Sequence, residues 1–334
     1  MINNSNVFFS VVIPAFNVEK YIDRTISSIL SQSFRSVEII IVNDGSTDNT
    51  LAIINRYLDA NPQIIVVNHG ENSSLHIARC NGVSASSGQY ILFLDGDDHF
   101  TENAFIELHD VIMNNQGYDL YEFGYMKQPF GKPVLPRAIF EDRFYAFFSD
   151  KNRPAHTMWN KAYDAPLLKK SFFAMEKAYM NYVEDLYESI VISYFMRRLF
   201  ISNKIIVNYR IGNGISTRQK DYNDVIAWLR STKTVFDLIQ DFLNKIELDI
   251  SIDNLSYALM RLIIIKDIST QQNTEVREQL FFELPEYFEG RIILKFWLAR
   301  ERELFNSLDY KLGRRVLFLL RKIKKYLRLI IHRK

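Results

Sequence analysis

Short apolar segments alternate with amphipathic helical segments through the first 98 residues, and this alternation constrains the fold more than any other feature of the chain. Strand character is concentrated in residues 7–13, 37–43, 64–67 and 90–94, which are rich in β-branched and aromatic residues. Apolar residues recur at helical spacing between them, as in Ile22, Ile26, Ile29 and Leu30. Strands and helices in this order predict a parallel sheet with helices on both faces. We expect Pro14 to end the first strand, because proline cannot donate to a sheet ladder.

Polar residues gather after the first, second and fourth predicted strands. The carboxyl ends of strands are where open α/β folds bind ligands. After the fourth strand, Asp95, Asp97 and Asp98 place three carboxylates within four residues. Carboxylates suit a hard cation such as Mg²⁺ or Mn²⁺, which usually bridges to the phosphates of a nucleotide. The alternative interpretation is an ordinary Asp/Gly turn after a buried strand.

The other two strand ends offer groups for a nucleotide. Pro14, Ala15 and Phe16 present backbone groups and an aromatic face to a nucleobase, and Asp44 could accept the imide N–H of that base. The alternative is that Pro14, Ala15 and Phe16 simply end the first strand and that Asp44 caps the next helix. Arg79 could contact a diphosphate or hold the carboxylates in place, unless it is a solvated residue on a helix face.

Several segments taken together resemble the family 2 glycosyltransferases of the GT-A fold. They are VVIPAFNVEKYIDRTISSILSQSF, EIIIVNDGSTDNT, ENSSLHIARCNGV, SGQYILFLDGDD, MWNKAY and VEDLY, in that order. The resemblance covers roughly residues 7–215. It implies an α/β nucleotide-diphospho-sugar transferase domain, with a mostly parallel sheet flanked by helices, over residues 1–217. Its nucleotide half would be about 1–98 and its acceptor half about 99–217.

The resemblance also implies roles for individual residues. Asp97 and Asp95 would bind the metal, and Asp95 would also contact the ribose. Asp185 would be the general base, with Glu184 beside it orienting the acceptor or supporting the loop. Late in the domain, Arg210 and the turn at 212–217 would contact the diphosphate. His99 stands where many relatives have proline, and we expect it to be a loop residue and not a metal ligand. The donor-binding set is Pro14, Ala15, Phe16, Asn17, Glu19, Asp44, Arg79, Asp95, Gly96 and Arg210, and the acceptor-binding set is Trp159, Asn160 and Lys161.

Composition bears on the number of domains and on the cellular location that we expect for the protein. The chain has 334 residues, 48% of them hydrophobic, which suggests about two domains. Cys80 is the only cysteine, so an internal disulfide and a cysteine-rich zinc site are excluded. The N-terminus lacks a basic start, and no apolar run reaches the length of a membrane-spanning helix. We therefore expect a cytoplasmic protein.

The pattern becomes helical after residue 216, which predicts a helical module over 218–334. Its last 24 residues, 311–334, hold ten Lys or Arg and no acid, with leucine and isoleucine at helical spacing. This combination is typical of an amphipathic helix on an anionic membrane, which would place the protein on the inner face of the cell membrane. The alternative is a terminal helix that packs on its own domain. Nucleic acid is not an expected partner, and a homo-oligomer is left open.

The sequence as a whole predicts an inverting, metal-dependent glycosyltransferase. The donor would be a nucleoside diphosphate sugar, with UDP the expected nucleotide, and the acceptor a hydroxyl of a surface polysaccharide or lipid-linked glycan. One alternative is a polyol-phosphate transferase of the same fold that uses a cytidine nucleotide. Another is a catalytically idle scaffold that binds membrane or nucleic acid.

Overall fold

The computed structural model describes residues 7–137, 142–149, 153–211, 221–263, 268, 274–289 and 292–293. The strands of this part of the chain are β1 Phe9–Ala15, β2 Val37–Asp44, β3 Ile64–His69, β4 Tyr90–Phe93, β5 His99–Phe100, β6 Leu120–Gln128, β7 Lys132–Val134, β8 Lys161–Asp164 and β9 Leu199–Arg210. The helices are α1 Ile22–Leu30, α2 Thr50–Leu58, α3 Leu75–Ala85, α4 Ala104–Asn114, α5 Arg143–Ala146, α6 Ala165–Ala174, α7 Glu184–Phe195, α8 Tyr222–Lys245, α9 Asp253–Ile263 and α10 Thr274–Tyr287.

These strands form one mixed sheet in the order β3-β2-β1-β4-β8-β6-β9-β5, with β7 paired to β6. The first four strands are parallel, as the sequence predicts. The prediction of a mostly parallel sheet is too simple beyond β4, because β8 runs antiparallel to both of its neighbours, β4 and β6. The two antiparallel steps leave β6 parallel to β4, so both strands end at the same edge of the sheet.

Helices cover both faces of the sheet, as predicted. Successive side chains of a strand point to opposite faces. Val11 and Ile13 of β1 belong to the hydrophobic core that contains Ile22 and Ile26 of α1. On the other face, Val12 lies against α3, where a Cβ on Gly82 would stand 2.3 Å from the Val12 Cγ1 atom. Glycine at position 82 therefore lets α3 approach the sheet closely.

Two local expectations are wrong. Pro14 does not end β1, because it pairs with Val42 of β2 and the strand continues to Ala15. Proline is tolerated there because β4 pairs with β1 only as far as Phe93, so no ladder partner is lost on that side. His99 is not a loop residue but the first residue of β5, paired with Asn208 of β9.

The chain divides into two compact units. One contains residues 1–218 and 234–249, and the other contains residues 219–233 and 250–334. In the second unit, Gln279 Nε2 donates to the Tyr222 hydroxyl at 2.9 Å, joining α10 to the start of α8. The predicted helical character after residue 216 is confirmed by α8, α9 and α10. The predicted domain boundary at 217/218 stays a prediction, and the basic segment 311–334 and the turn at 212–217 lie outside the described residues. Within the described residues, every helix is too short or too polar to cross a bilayer.

Candidate active site

The acidic motif stands at the carboxyl end of β4. Asp98 is buried, whereas Asp95 and Asp97 are partly exposed. Burial, with Asp97 and Asp185 nearby, raises the pKa of Asp95 to about 6 against the opposing charge of Arg79. Burial, with Asp95 and Asp97 beside it, raises the pKa of Asp98 to about 9. Two partly exposed carboxylates therefore flank a glycine at this edge, and the third side chain is held inside the protein.

Asp98 joins the acidic motif to β9. Its Oδ1 atom accepts from the backbone N–H of Arg210 at 2.7 Å, whereas its buried Oδ2 atom has no partner among the described residues. The Arg210 guanidinium stacks on the Tyr21 ring, with 4.5 Å from Cζ to the ring centroid. Its positive charge opposes the rise of the Asp97 pKa that burial causes. Sequence reasoning placed Arg210 with the donor site, and the structure does bring it beside the acidic motif.

Arg79 lies at the centre of an ion-pair network that joins α3, α7 and the end of β4. Its Nη1 atom contacts Glu184 Oε1 at 3.2 Å and Glu188 Oε2 at 2.8 Å, and Nη2 lies 3.8 Å from Asp95 Oδ1. The guanidinium is 3% exposed. Of the three interpretations of Arg79, the solvated residue is excluded, and the contacts match a cation that holds carboxylates in place.

His76 extends this network into the interior. Its Nδ1 atom lies 2.9 Å from Glu188 Oε1, and neither side chain is exposed. Burial acts to lower the pKa of His76, but hydrogen bonds with Cys80 and Glu188 outweigh it and raise the pKa to about 10. Glu188 thus lies between two buried cations, His76 and Arg79.

Glu184 and Asp185 begin α7, and their environments differ. The Glu184 side chain is nearly buried against Arg79, and this burial raises its pKa to about 8. The Asp185 side chain is 28% exposed, with Oδ1 4.0 Å from His156 Nε2. Val183, just before them, has a φ of 64°, which is costly for a β-branched residue. Of the two acids, Asp185 is the one that a substrate can reach.

Hydrogen bonds join the loop after β1 to the loop after β2. Asn17 Oδ1 accepts from the Thr47 N–H at 2.8 Å, and Glu19 Oε2 accepts from the Asn49 N–H at 3.0 Å. Phe16 is 42% exposed at this edge, whereas Pro14 and Ala15 are buried in β1. Gly96 lies close by, since a Cβ there would stand 3.3 Å from the Pro14 carbonyl oxygen. The side chains of Asn17 and Glu19 therefore bond to the loop after β2 and fix its shape. The ring of Phe16 is the group at this edge that remains accessible to a ligand.

The hydrogen bonds of the Asp44 carboxylate differ from both predictions for this residue, a contact with the base and a cap of the next helix. Its Oδ1 atom contacts His69 Nδ1 at 2.6 Å and accepts from the Ser73 N–H at 2.8 Å. Its Oδ2 atom accepts from Asn72 Nδ2 and from the Ser74 N–H, each at 3.0 Å. All four lone-pair positions of the carboxylate are filled. Asp44 does not cap α2 either, because the Thr50 N–H donates to Asp48. A nucleobase could bond to Asp44 only by displacing one of these donors.

The segment predicted to bind the acceptor is buried. Trp159 stacks on Tyr209, with 4.8 Å between ring centroids and 5° between ring planes. Asn160 Nδ2 donates to the Phe123 carbonyl at 2.8 Å. Lys161 Nζ contacts the Thr157 carbonyl and Asn160 Oδ1, and burial lowers its pKa to about 8. The acceptor role of these residues stays a prediction, and in this structure their polar groups bond to the protein.

The residues at the acidic motif fit a divalent cation held jointly with a nucleotide. No group of three histidine, cysteine or acidic residues within the described ranges is arranged as a metal site. Mg²⁺, however, is usually bound by one or two carboxylates together with substrate phosphates. Asp95 and Asp97 supply two partly exposed carboxylates. The mutual repulsion that helps to raise the pKa of Asp95 is what a cation between the two would relieve.

Sequence reasoning missed His76 and Glu188. The signal was present, because Glu188 follows Glu184 by four residues and Arg79 follows His76 by three, spacings that place each pair on one helix face. Nothing in the sequence showed that these two faces meet. The pairing of α3 with α7 is set by tertiary packing.

Comparisons with known proteins show which family this chain resembles. Residues 10–171 match the family model described as Glycosyl transferase family 2. Glycosyltransferase GlyA of Streptococcus pneumoniae serotype 4 is 26% identical over 222 residues, which are 63% of this chain and 31% of GlyA. Minor teichoic acid biosynthesis protein GgaB of Bacillus subtilis is 38% identical over 102 residues, which are 30% of this chain and 11% of GgaB. The alignments thus span about a third or less of the length of these two relatives.

Solved structures share the architecture. The crystal structure of S. aureus TarS 1-349 in complex with UDP-GlcNAc has a TM-score of 0.57 and 19% identity, covering 84% of this chain and 80% of that chain. At this identity the likeness concerns the fold alone. It confirms the predicted α/β fold of the GT-A type.

Proposed function

Residues 10–171 match glycosyl transferase family 2, and on that premise we propose that the chain transfers a sugar from a nucleoside diphosphate donor to a hydroxyl of a glycan acceptor. The observation that carries this proposal is the convergence of six side chains at one edge of the sheet. Asp95 and Asp97 follow β4, Arg210 ends β9, Arg79 comes from α3, and Glu184 and Asp185 begin α7.

Donor binding would use the exposed part of this edge. The Phe16 ring is available to a nucleobase, and the Arg210 guanidinium, placed over Tyr21, is available to a diphosphate. Arg79 would act indirectly, by keeping Asp95 and Glu184 in place. The filled carboxylate of Asp44 supports a role in shaping the loop at 72–74 more than direct contact with the base.

We further propose that Mg²⁺ or Mn²⁺ acts with the donor. Asp97 and Asp95 would hold the ion, and its charge would neutralise the leaving diphosphate. Asp97 is the better placed of the two, because Asp95 already faces Arg79. UDP is the nucleotide we propose, consistent with the UDP-GlcNAc in the similar TarS structure.

Asp185 is proposed as the base of an inverting transfer. Such a transfer requires removal of the proton of the attacking hydroxyl as the bond to the diphosphate breaks. Asp185 is partly exposed and lies near Asp95, whereas Glu184 and Glu188 are buried and paired with Arg79. These two glutamates would fix the start of α7, so that the Asp185 carboxylate points toward the donor.

We propose a surface polysaccharide or a lipid-linked glycan as the acceptor. The GgaB relative is named for teichoic acid biosynthesis, which supports a cell-surface polymer. The basic segment 311–334 would hold the protein at the inner face of the cell membrane. Deletion of 311–334 should then lower activity on a lipid-linked acceptor more than activity on a short soluble one.

A screen of nucleotide sugars and cytidine-diphosphate polyols tests this function directly. Each compound is incubated with the protein, with and without Mn²⁺, and release of nucleotide is measured. Metal-dependent release of UDP from one sugar nucleotide is the expected result. Release of CMP from a cytidine-diphosphate polyol would instead identify a polyol-phosphate transferase, and absence of any turnover would favour an idle scaffold.

A further inference from the structure

The hairpin formed by β6 and β7 ends in an exposed apolar tip. Phe130 is 73% exposed in the turn, whereas Leu135, 48% exposed, lies after β7 at the opposite end of the hairpin. Apart from its two chain neighbours, no atom of the described residues lies within 4 Å of the position that a Cβ on Gly131 would take. The turn therefore projects away from the protein around it. A large aromatic ring at such a tip gains nothing from the fold and remains available to another surface.

The same hairpin is basic. Residues 125–137 include Lys127, Lys132 and Arg137 and no acidic residue. Lys127 and Lys132 lie directly opposite each other in the antiparallel register of β6 and β7. Like charges in this arrangement destabilise a strand pair. An anionic partner would relieve this repulsion.

Protection of a sheet edge explains only part of this composition. Lysine and proline on a short edge strand discourage pairing with another chain, which accounts for Lys132 and Pro133 of β7. It does not account for Phe130 and Leu135, because exposed apolar residues have the opposite effect. The combination of apolar tip and basic flanks needs a partner that is apolar inside and anionic at its surface.

The hairpin is placed beside the candidate active site. Because β6 runs parallel to β4, its last residue, Gln128, lies at the same sheet edge as the acidic motif. Gln128 pairs with Arg210, whose N–H donates to Asp98 Oδ1 at 2.7 Å. Phe130 follows Gln128 by two residues, a reach of about 7 Å of extended chain.

We propose that this hairpin docks on an anionic lipid bilayer. Phe130 enters the interface, and Lys127 and Lys132, the strand pair next to the turn, contact lipid phosphates. A phosphate-bearing glycan would share the anionic chemistry, but a projecting tip with a single phenylalanine offers no groove for a chain of sugars. Docking turns the acidic edge of the sheet toward the membrane, where it would meet a lipid-linked acceptor. That orientation rests on the proposed function, whereas the docking itself does not.

Co-sedimentation of the full chain with vesicles tests the docking. The vesicles are equal parts phosphatidylglycerol and phosphatidylcholine, with pure phosphatidylcholine as the neutral comparison. Phe130→Ala and the double variant Lys127→Gln/Lys132→Gln are compared with Phe173→Ala and Lys177→Gln. Phe173 is 92% exposed on α6, and Lys177 is also exposed, so both are matched controls outside the hairpin. Each lysine contributes about 1 kcal/mol, or about fivefold in affinity, so the double variant should bind about 30-fold more weakly. Phe130→Ala should lower binding about tenfold.

A local probe separates the hairpin from any other membrane contact of the chain. Phe130→Trp should show fluorescence quenched by brominated phosphatidylglycerol vesicles beyond the wild-type level, and Phe173→Trp should not. The proposal is overturned if both variants are quenched equally, or if the hairpin variants sediment like the controls. It is also overturned if a soluble phosphoglycan, and not vesicles, changes the Phe130→Trp signal. Donor turnover with a soluble acceptor, measured in the same proteins, should be the same in the variants as in wild type. If no protein, wild type included, turns over any donor, the proposed function is refuted, but the vesicle result still tests the docking.

Discussion

The Arg79 guanidinium donates to Glu188 Oε2 at 2.8 Å, and both side chains are buried. Glu188 bonds at the same time to His76, so one carboxylate links two cations of α3 to α7. The same Nη1 atom of Arg79 also contacts Glu184, and Nη2 faces Asp95, and both of these acids belong to the candidate active site. The packing of α3 on α7 and the position of the acidic motif are therefore set by the same group of charges.

Glu188→Gln should destabilise the protein by about 3–5 kcal/mol, because it leaves two buried cations without their shared anion. The free energy of unfolding is measured by urea denaturation. The matched control is Glu176→Gln, whose side chain forms an exposed ion pair with Lys245. That change should leave the urea midpoint close to that of wild type, because an exposed ion pair contributes little to stability. Equal midpoints for the two variants would contradict the account of this network.

Stability should depend on pH through His76. Its pKa is raised from 6.5 to about 10 in the folded protein, so its contribution is fully present below pH 6.5 and is lost as pH rises through about 10. His76→Gln should therefore be destabilised most at or below pH 6.5, with the difference from wild type narrowing toward pH 10. Urea unfolding of both proteins across this range measures the difference. A gap that does not change with pH would indicate a neutral His76.

Much of the fold, and less of the site, follows from sequence. The four parallel strands and α1 to α3 were predictable, because buried strands and one-sided helices repeat at short range. The antiparallel β8 was not, since Lys161 and Ala162 carry no alternating pattern and their direction depends on residues far along the chain. Asp95, Arg79 and Asp185 were found as separate motifs, and the structure brings them together. The four bonds that fill Asp44 came from residues 69–74, whose loop conformation the sequence does not specify.

Asp97→Ala should abolish metal-dependent donor binding and leave the fold intact, because the carboxylate is partly exposed and its charged neighbour is Arg210 at the candidate site. Calorimetry of UDP binding, with and without Mn²⁺, measures the effect. Asp110→Ala is a matched control, since Asp110 is an exposed acid on α4. If Mn²⁺ strengthens UDP binding equally in wild type and Asp97→Ala, the metal is bound elsewhere.

Asp185→Asn tests the central claim, that an accessible carboxylate at the start of α7 removes the proton of the acceptor hydroxyl. Single-turnover transfer is measured at saturating donor and Mn²⁺, with UDP affinity determined in parallel and Asp110→Asn as the control. The variant should bind UDP like wild type but transfer the sugar about 10² to 10⁴ times more slowly, the usual contribution of a positioned base. Transfer at the wild-type rate would contradict the assignment and make Glu184 the next residue to test.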